Sequence, residues 1–268
     1  MGDFSAEWLA LREPADHRAR SAHLARTIGS RLLGLPAVRV VDLASGTGSN
    51  LRYLSRLLPP VQHWRIVDRD PDLLARFVKP AMWAILASVH VHRRDLAALD
   101  TIDDLLERAV LLTASALLDL VSERWLDGIA ERCHAVGAAA LFALTYDGRI
   151  SCTPPESGDE TVRNLVNRHQ RTDKGFGPAL GPAATEFAER CFAARGFTVE
   201  RERSDWTLGA GDSELQRQLI AGWADAATEI APERAAAIGA WRDRRLDHIT
   251  AGRSTIVVGH QDLAAWIR

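Results

Sequence analysis

The segment Arg39-Val40-Val41-Asp42-Leu43-Ala44-Ser45-Gly46-Thr47-Gly48-Ser49-Asn50-Leu51 constrains this chain more than any other. Val40, Val41 and Leu43 are apolar and mostly β-branched, which suits a parallel strand covered on both faces. Side-chain bulk then falls away from Ala44 to Gly48. Glycine reaches backbone dihedrals that other residues avoid and has no Cβ to collide, so a ligand can come close to such a turn. The segment predicts a buried strand, a tight turn and the start of a helix.

Two relatives of this turn are excluded by single residues. No Gly-Lys-Ser/Thr follows, so it is not a phosphate-cradling P-loop. Leu51 stands where the dinucleotide fingerprint needs its third glycine. The segment resembles motif I of class I S-adenosylmethionine-dependent methyltransferases, usually D-x-G-x-G-x-G. Here it reads Asp42-x-Ala44-x-Gly46-x-Gly48, with alanine in place of the first glycine. The resemblance implies an α/β fold with a doubly wound, seven-stranded, mostly parallel Rossmann-like sheet. It implies S-adenosylmethionine as cofactor, held in part by Asp42, Ala44, Ser45, Gly46, Gly48 and Asn50. The chain then divides into an N-terminal helical cap (1–35), a cofactor-binding core (36–145), a lid-like loop (146–181) and a helical insertion (207–252) before the last strand, all within one domain.

The next two strands extend the pattern. His63 to Asp68 reads as a strand ending in a carboxylate. In the family resemblance Asp68 accepts both ribose hydroxyl protons, a charge-assisted pair of bonds. Arg69 lies beside it, and Asp70 is the competing candidate for that role, although Pro71 after it makes it read rather as a helix cap. Val89 to Leu96 reads as a third strand, whose Asp95 is implied to meet the adenine amino group and Leu96 to stack on the ring. His90 and His92 share one face of that strand, but no third ligand is evident, so they read as solvated rather than metal-binding.

Ala109 to Ser115 is a fourth strand. Polar residues at the carboxyl end of a central strand face the ligand crevice of a doubly wound sheet. Thr113 and Ser115 are therefore candidates for the cofactor's methionine end, and Asp119 for the substrate or as a helix-initiating acid. No N-P-P-Y or D-P-P-Y sequence follows, which argues against adenine or glutamine amino groups as acceptors.

At the N-terminus, Phe4 to Leu33 predicts two helices, with Pro14 interrupting the first and Asp16 capping the second. After a helix from Ser122 to Val136, Ala138 to Thr145 is a fully apolar fifth strand. Tyr146-Asp147-Gly148 follows, either as a plain turn or with Tyr146 and Asp147 contacting substrate and handling protons. Arg149 to Gly181 is the least regular stretch, and a long polar loop in a compact domain is often a functional lid. His169 is its natural general base, and Lys174 suits a substrate carboxylate or phosphate. A helix from Pro182 to Arg195 leads to a charged strand ending at Trp206, a further substrate-facing candidate. Two helices (Ser213 to Ile230, Pro232 to Ala251), a last strand (Ser254 to His260) and a short tail from Asp262 complete the chain. The resemblance implies that the last strand enters antiparallel, which sets the insertion above the crevice as a substrate cap or a homodimer face.

Bulk properties narrow the partners. A net charge of −2 gives no electrostatic footprint for nucleic acid. Cys133, Cys152 and Cys191 form no metal or disulfide spacing, the first residues lack an apolar core, and no apolar run approaches the ~20 residues that span a bilayer. The sequence therefore predicts a cytoplasmic methyltransferase acting on a small molecule by O-, N- or C-methylation. Two alternatives share the cofactor: cyclisation or lyase chemistry releasing methylthioadenosine, and a non-catalytic cofactor-binding partner subunit.

Overall fold

The computed structural model describes residues 5–77 and 86–267. Helix α1 (Ala6–Ala19) starts at Ser5, whose Oγ accepts from the Trp8 amide at 3.0 Å. It runs straight through Pro14. Proline deprives the carbonyl four residues earlier of its donor, and that residue, Ala10, is exposed, so water can satisfy it. Asp16 accordingly lies inside α1, and Ser21 caps α2 (Ala22–Arg31) by accepting from Leu24 N at 3.0 Å. The expected break at Pro14 and cap at Asp16 are thus corrected. Phe4, the predicted start of this region, lies outside the described residues.

Strands β1 (Val38–Leu43), β2 (Gln62–Asp68), β3 (Leu86–Arg93), β4 (Leu111–Ser115), β5 (Ala139–Thr153), β6 (Thr198–Arg203), β7 (Trp206–Leu208) and β8 (Thr255–Trp266) form one sheet. Its order is β3-β2-β1-β4-β5-β8-β6, with β7 also paired to β8. The first five strands are mutually parallel, and β8 enters antiparallel between β5 and β6. This is the Rossmann-like class I methyltransferase fold, with β7 as an eighth strand. The tail predicted from Asp262 is part of β8.

Alternation along the strands feeds two core layers. Val38, Val40, Trp64, Ile66 and Leu141 pack with α2 and α3 (Ser49–Leu54) on one face. Val41, Leu43, Val67, Leu112 and Phe142 pack on the other. That second face also takes α5 (Asp103–Leu106), α6 (Glu123–Val136) and α8 (Ala184–Ala194). The short α4 (Pro71–Ala75) follows β2, and Asp70 caps it as expected, accepting from the Asp72 and Leu73 amides.

A third cluster lies under the insertion. The segment 146–181 is not the irregular loop the sequence suggests. β5 continues to Thr153 with breaks in register between Phe142 and Thr145 and between Tyr146 and Ile150, and α7 (Asp159–His169) follows. Alternation is lost across those breaks, which hides the strand's second half from sequence reading. Insertion helices α9 (Ser213–Ile230) and α10 (Ala235–Thr250) pack beside α7. The fully buried Arg245 pins them there, pairing with Asp159 and donating to Pro154 O at 2.6 Å. Trp241 Nε1 donates to the same aspartate at 2.8 Å.

Candidate active site

A cleft opens where β1, β2 and β4 end, the crevice side of an open α/β sheet. Ala44, Ser45, Gly46, Asn50, Asp68, Arg69, Leu96 and Ser115 all line it. The turn needs its small residues. Ala44, Gly46 and Gly48 have φ of 49°, 53° and 88°, the left-handed region that favours glycine. A Cβ on Gly46 would lie 2.8 Å from Leu9 Cδ1, and one on Gly48 only 2.3 Å from the Phe77 ring. Ala44 holds its positive φ with a methyl group, which is how alanine stands where the motif usually has glycine.

Asp68 ties the turn to β2. Its Oδ2 accepts from Gly46 N at 2.8 Å and its Oδ1 from Asp70 N at 3.0 Å. Both bonds fix the carboxylate at the cleft wall while leaving lone pairs on each oxygen.

Four expected cofactor residues do not reach the cleft. Asp42 and Thr113 lie one layer beneath it and hold Asn50: its Nδ2 donates to Asp42 Oδ1 at 2.6 Å and to Thr113 Oγ1 at 3.1 Å. Gly48 is packed under Phe77. Asp95 lies past the end of β3, exposed, and its Oδ1 accepts from Ala97 N at 3.0 Å. It borders a separate shallow depression with Arg69 and Asp70. Leu96 alone carries that strand's contribution to the main cleft.

Burial lifts the Asp42 carboxyl to about 7, and the Asn50 bond and the Arg20 guanidinium only partly oppose this. Asp42 Oδ2 and Asn50 Oδ1 are buried acceptors with no hydrogen-bond partner. Such orphans are uncommon in folded proteins.

Beside the cleft lies a second cavity, and Arg12, Ala116 and Leu120 line both. The substrate candidates Asp119, Lys174, Trp206, Tyr146 and His169 are all brought together here. Asp147 is not. Its carboxylate is held by Arg149 at 2.5 Å, and Arg149 also pairs with Asp205 at 2.6 Å. The expectation that Asp147 handles protons is therefore corrected: β5 runs on past it, so it sits at no strand end.

The cavity has an inner and an outer end of different chemistry. At the outer end, Lys174 Nζ approaches His169 Nδ1 at 3.3 Å, and His169 Nε2 lies 3.2 Å from Glu229. Burial and the Lys174 charge hold the His169 imidazole below its usual range, with Glu229 opposing. Nearer the first cleft, Asp119 is buried on the turn Leu118–Leu120 that follows β4. Burial pushes its carboxyl up to about 6, against hydrogen bonds from its own amide and that of Tyr146. Tyr146 itself donates its hydroxyl to Asn167 Oδ1 at 2.7 Å.

Sequence reading missed several lining residues. Arg12 spans both spaces, Trp8 and Trp223 supply aromatic walls, and Phe176 reaches the first cleft from the segment that carries Lys174. His260, on β8, is buried beside Trp206 with ring centroids 5.1 Å apart. Burial drives its imidazole down to about 3, and its Nδ1 has no partner. A histidine ending the apolar run Ile256-Val257-Val258-Gly259 was the signal available. His90 and His92 lie on the edge strand β3, and no metal-ligating cluster occurs among the described residues.

No protein-family model matches the chain. No curated protein sequence matches it either. Solved structures do. The cyclopropane synthase MmaA2 from Mycobacterium tuberculosis aligns over 98% of this chain and 95% of its own, at 12% identity and a TM-score of 0.50. The YcgJ protein from Bacillus subtilis aligns over 92% and 100%, at 15% identity and the same TM-score of 0.50. A methyltransferase from Thiobacillus denitrificans, solved with S-adenosylhomocysteine, gives 15% identity over 99% and 100% with a TM-score of 0.48. Likeness at this level of identity establishes a common fold.

Proposed function

We propose that this chain is an S-adenosylmethionine-dependent methyltransferase of a small-molecule acceptor, with the donor in the glycine-turn cleft and the acceptor in the second cavity. One observation carries this reading: two spaces of different chemistry meet at a wall made by Arg12, Ala116 and Leu120. One has a small-residue turn and a fixed carboxylate, the other aromatic walls and titratable groups.

The first cleft suits the donor on the chemistry of its own atoms. Asp68 presents carboxylate oxygens to ribose hydroxyls, and Leu96 offers an apolar surface to the base. Asn50 Oδ1, an orphaned acceptor on a residue that lines the cleft, suits the ammonium of an amino-acid group, whose charge would also draw the raised Asp42 carboxyl beneath it back toward ionisation. When bound, the sulfonium supplies an electrophilic methyl group. The protein's own work is mainly positional, holding acceptor and methyl at near-attack distance and excluding water. His169 and Lys174 serve recognition at the outer end of the acceptor cavity. No described helix is long and apolar enough to cross a membrane, and three buried free thiols fit a reducing cytoplasm.

Calorimetric titration of the folded protein with S-adenosylhomocysteine tests the reading. One-to-one binding is expected, and no binding of either S-adenosylhomocysteine or S-adenosylmethionine would sink it. Methylthioadenosine as the product would instead assign non-methylating chemistry.

A further inference from the structure

The inner end of the second cavity holds a buried acid outside any contact ion pair, with the Arg12 charge acting on its carboxyl from farther off. Asp119 forms no ion pair among the described residues, and its neighbours Ala116 and Leu120 line both spaces. Asp119 itself lines the second cavity, next in the chain to that shared wall. Around it the cavity is flat-sided, with Tyr146, Trp206 and Trp223 as lining residues. Two buried polar atoms of lining residues have no partner, Trp8 Nε1 and His260 Nδ1. The fixed charge here comprises the Arg12 guanidinium, 5.0 Å from the Trp206 ring centroid and paired with Asp16, Lys174 at the outer end, and the carboxylates Asp173 and Glu229, the latter 71% exposed and screened by solvent.

We propose that the acceptor is a planar aromatic molecule bearing a phenol-type hydroxyl, and that Asp119 is the catalytic base that receives the hydroxyl proton. This rests on the methyltransferase reading above. Aromatic walls favour a flat ring by offset or edge-to-face stacking. The unpaired donor and acceptor atoms suit further polar substituents on that ring. The Lys174 ammonium, and the Arg12 guanidinium that Asp16 shares, help to stabilise the negative charge that develops on a phenol oxygen.

The step balances on these groups. The acceptor O–H bond breaks and its proton passes to an Asp119 carboxylate oxygen. The oxygen lone pair forms the new O–CH3 bond, and the S–CH3 bond of the sulfonium donor breaks with its electrons remaining on sulfur. His169 stands with Lys174 and Glu229 on the far side of the cavity from Ala116 and Leu120, the neighbours of Asp119 that line both spaces, so it is the less suited base.

The test is a binding comparison on the full chain with 2-naphthol, its methyl ether and 2-naphthylmethylamine, measured by calorimetry or saturation-transfer NMR. The phenol is expected to bind about tenfold more tightly than the ether, the worth of one hydrogen bond to a charged acceptor. Asp119→Asn, a near-isosteric change, should weaken 2-naphthol and close that gap. Equal binding of phenol and ether to the wild type, a gap that persists in Asp119→Asn, or tighter binding of the amine would each overturn the proposal. Titration with S-adenosylhomocysteine alone is run in parallel. Its failure would count against the donor reading, while the naphthol comparison reports on the second cavity independently.

Discussion

Trp206 Nε1 donates to Asp16 Oδ1 at 3.1 Å, joining α1 to β7 across 190 residues of chain. The same carboxylate takes Arg12 in bidentate fashion, at 3.0 and 3.2 Å, and Arg12 lies over the Trp206 ring. Arg12 lines both spaces, Asp16 the first and Trp206 the second.

Asp16→Ala would leave the Arg12 guanidinium nearly buried without its partner and the indole N–H without an acceptor. A loss of about 2–4 kcal/mol of unfolding free energy is expected, measured by urea denaturation. Asp16→Asn, which keeps an acceptor for Trp206, should cost less.

Asp68→Ala is expected to weaken S-adenosylhomocysteine binding by ~1–3 kcal/mol, the usual worth of hydrogen bonds to a charged group. Calorimetry on the variant reads this directly. An unchanged affinity would remove Asp68 from the donor site, whatever its effect on the turn.

Within the turn, the two kinds of small residue should part company. Gly48→Ala adds a Cβ at φ 88° against the Phe77 ring and should destabilise by about 1–3 kcal/mol. Ala44→Gly relieves a strained φ of 49° but loosens the unfolded chain, and these effects nearly cancel, leaving a change within about 0.5 kcal/mol. Thermal unfolding of both variants checks the contrast.

Asp42 and His260 should pull the pH–stability profile in opposite directions. Asp42 is held at about 7 in the fold, above its unfolded value, so the native state binds the proton more tightly. Its contribution is fully present at acid pH and is lost as pH rises from about 4 through 7. The charges about it are Arg20 and Asp68, and Asn50 is its neutral hydrogen-bond donor. His260, depressed to about 3, contributes stability that is complete above its unfolded value near 6.5 and lost as pH falls toward 3. Asp42→Asn should therefore flatten the profile on its neutral side and His260→Phe on its acid side. Urea midpoints across pH 4–8 would expose a profile unaffected by either.

Much of the first cleft was readable because it depends on local sequence. A β-branched run, a loss of side-chain bulk and a strand ending in Asp68 are each set within a few residues, and they place the cleft. Asp95 misled because its strand ends at Arg93 and the acid caps the turn beyond. The second cavity was less legible because distant segments build it. Tyr146 and Asp147 lie in a strand whose register breaks twice, erasing the alternation that would separate the residue facing the cavity from the one facing Arg149. Arg12 and His260 meet the same space from opposite ends of the chain, and only the pairing of β8 brings them there. Pro14 inside α1 likewise contradicts local propensity, which the contacts of Arg12 and Asp16 with Trp206 outweigh.

β8 occupies the gap between β5 and β6 and also carries β7. Its Asp262 accepts from the amides of both Ser21 and Leu144. During synthesis, then, residues up to the end of β5 can assemble the first five strands, while β6 and β7 have no neighbour to join. The second cavity comes into being only when β8 has left the ribosome, so a chain arrested before β8 would carry the glycine turn without a finished cavity beside it.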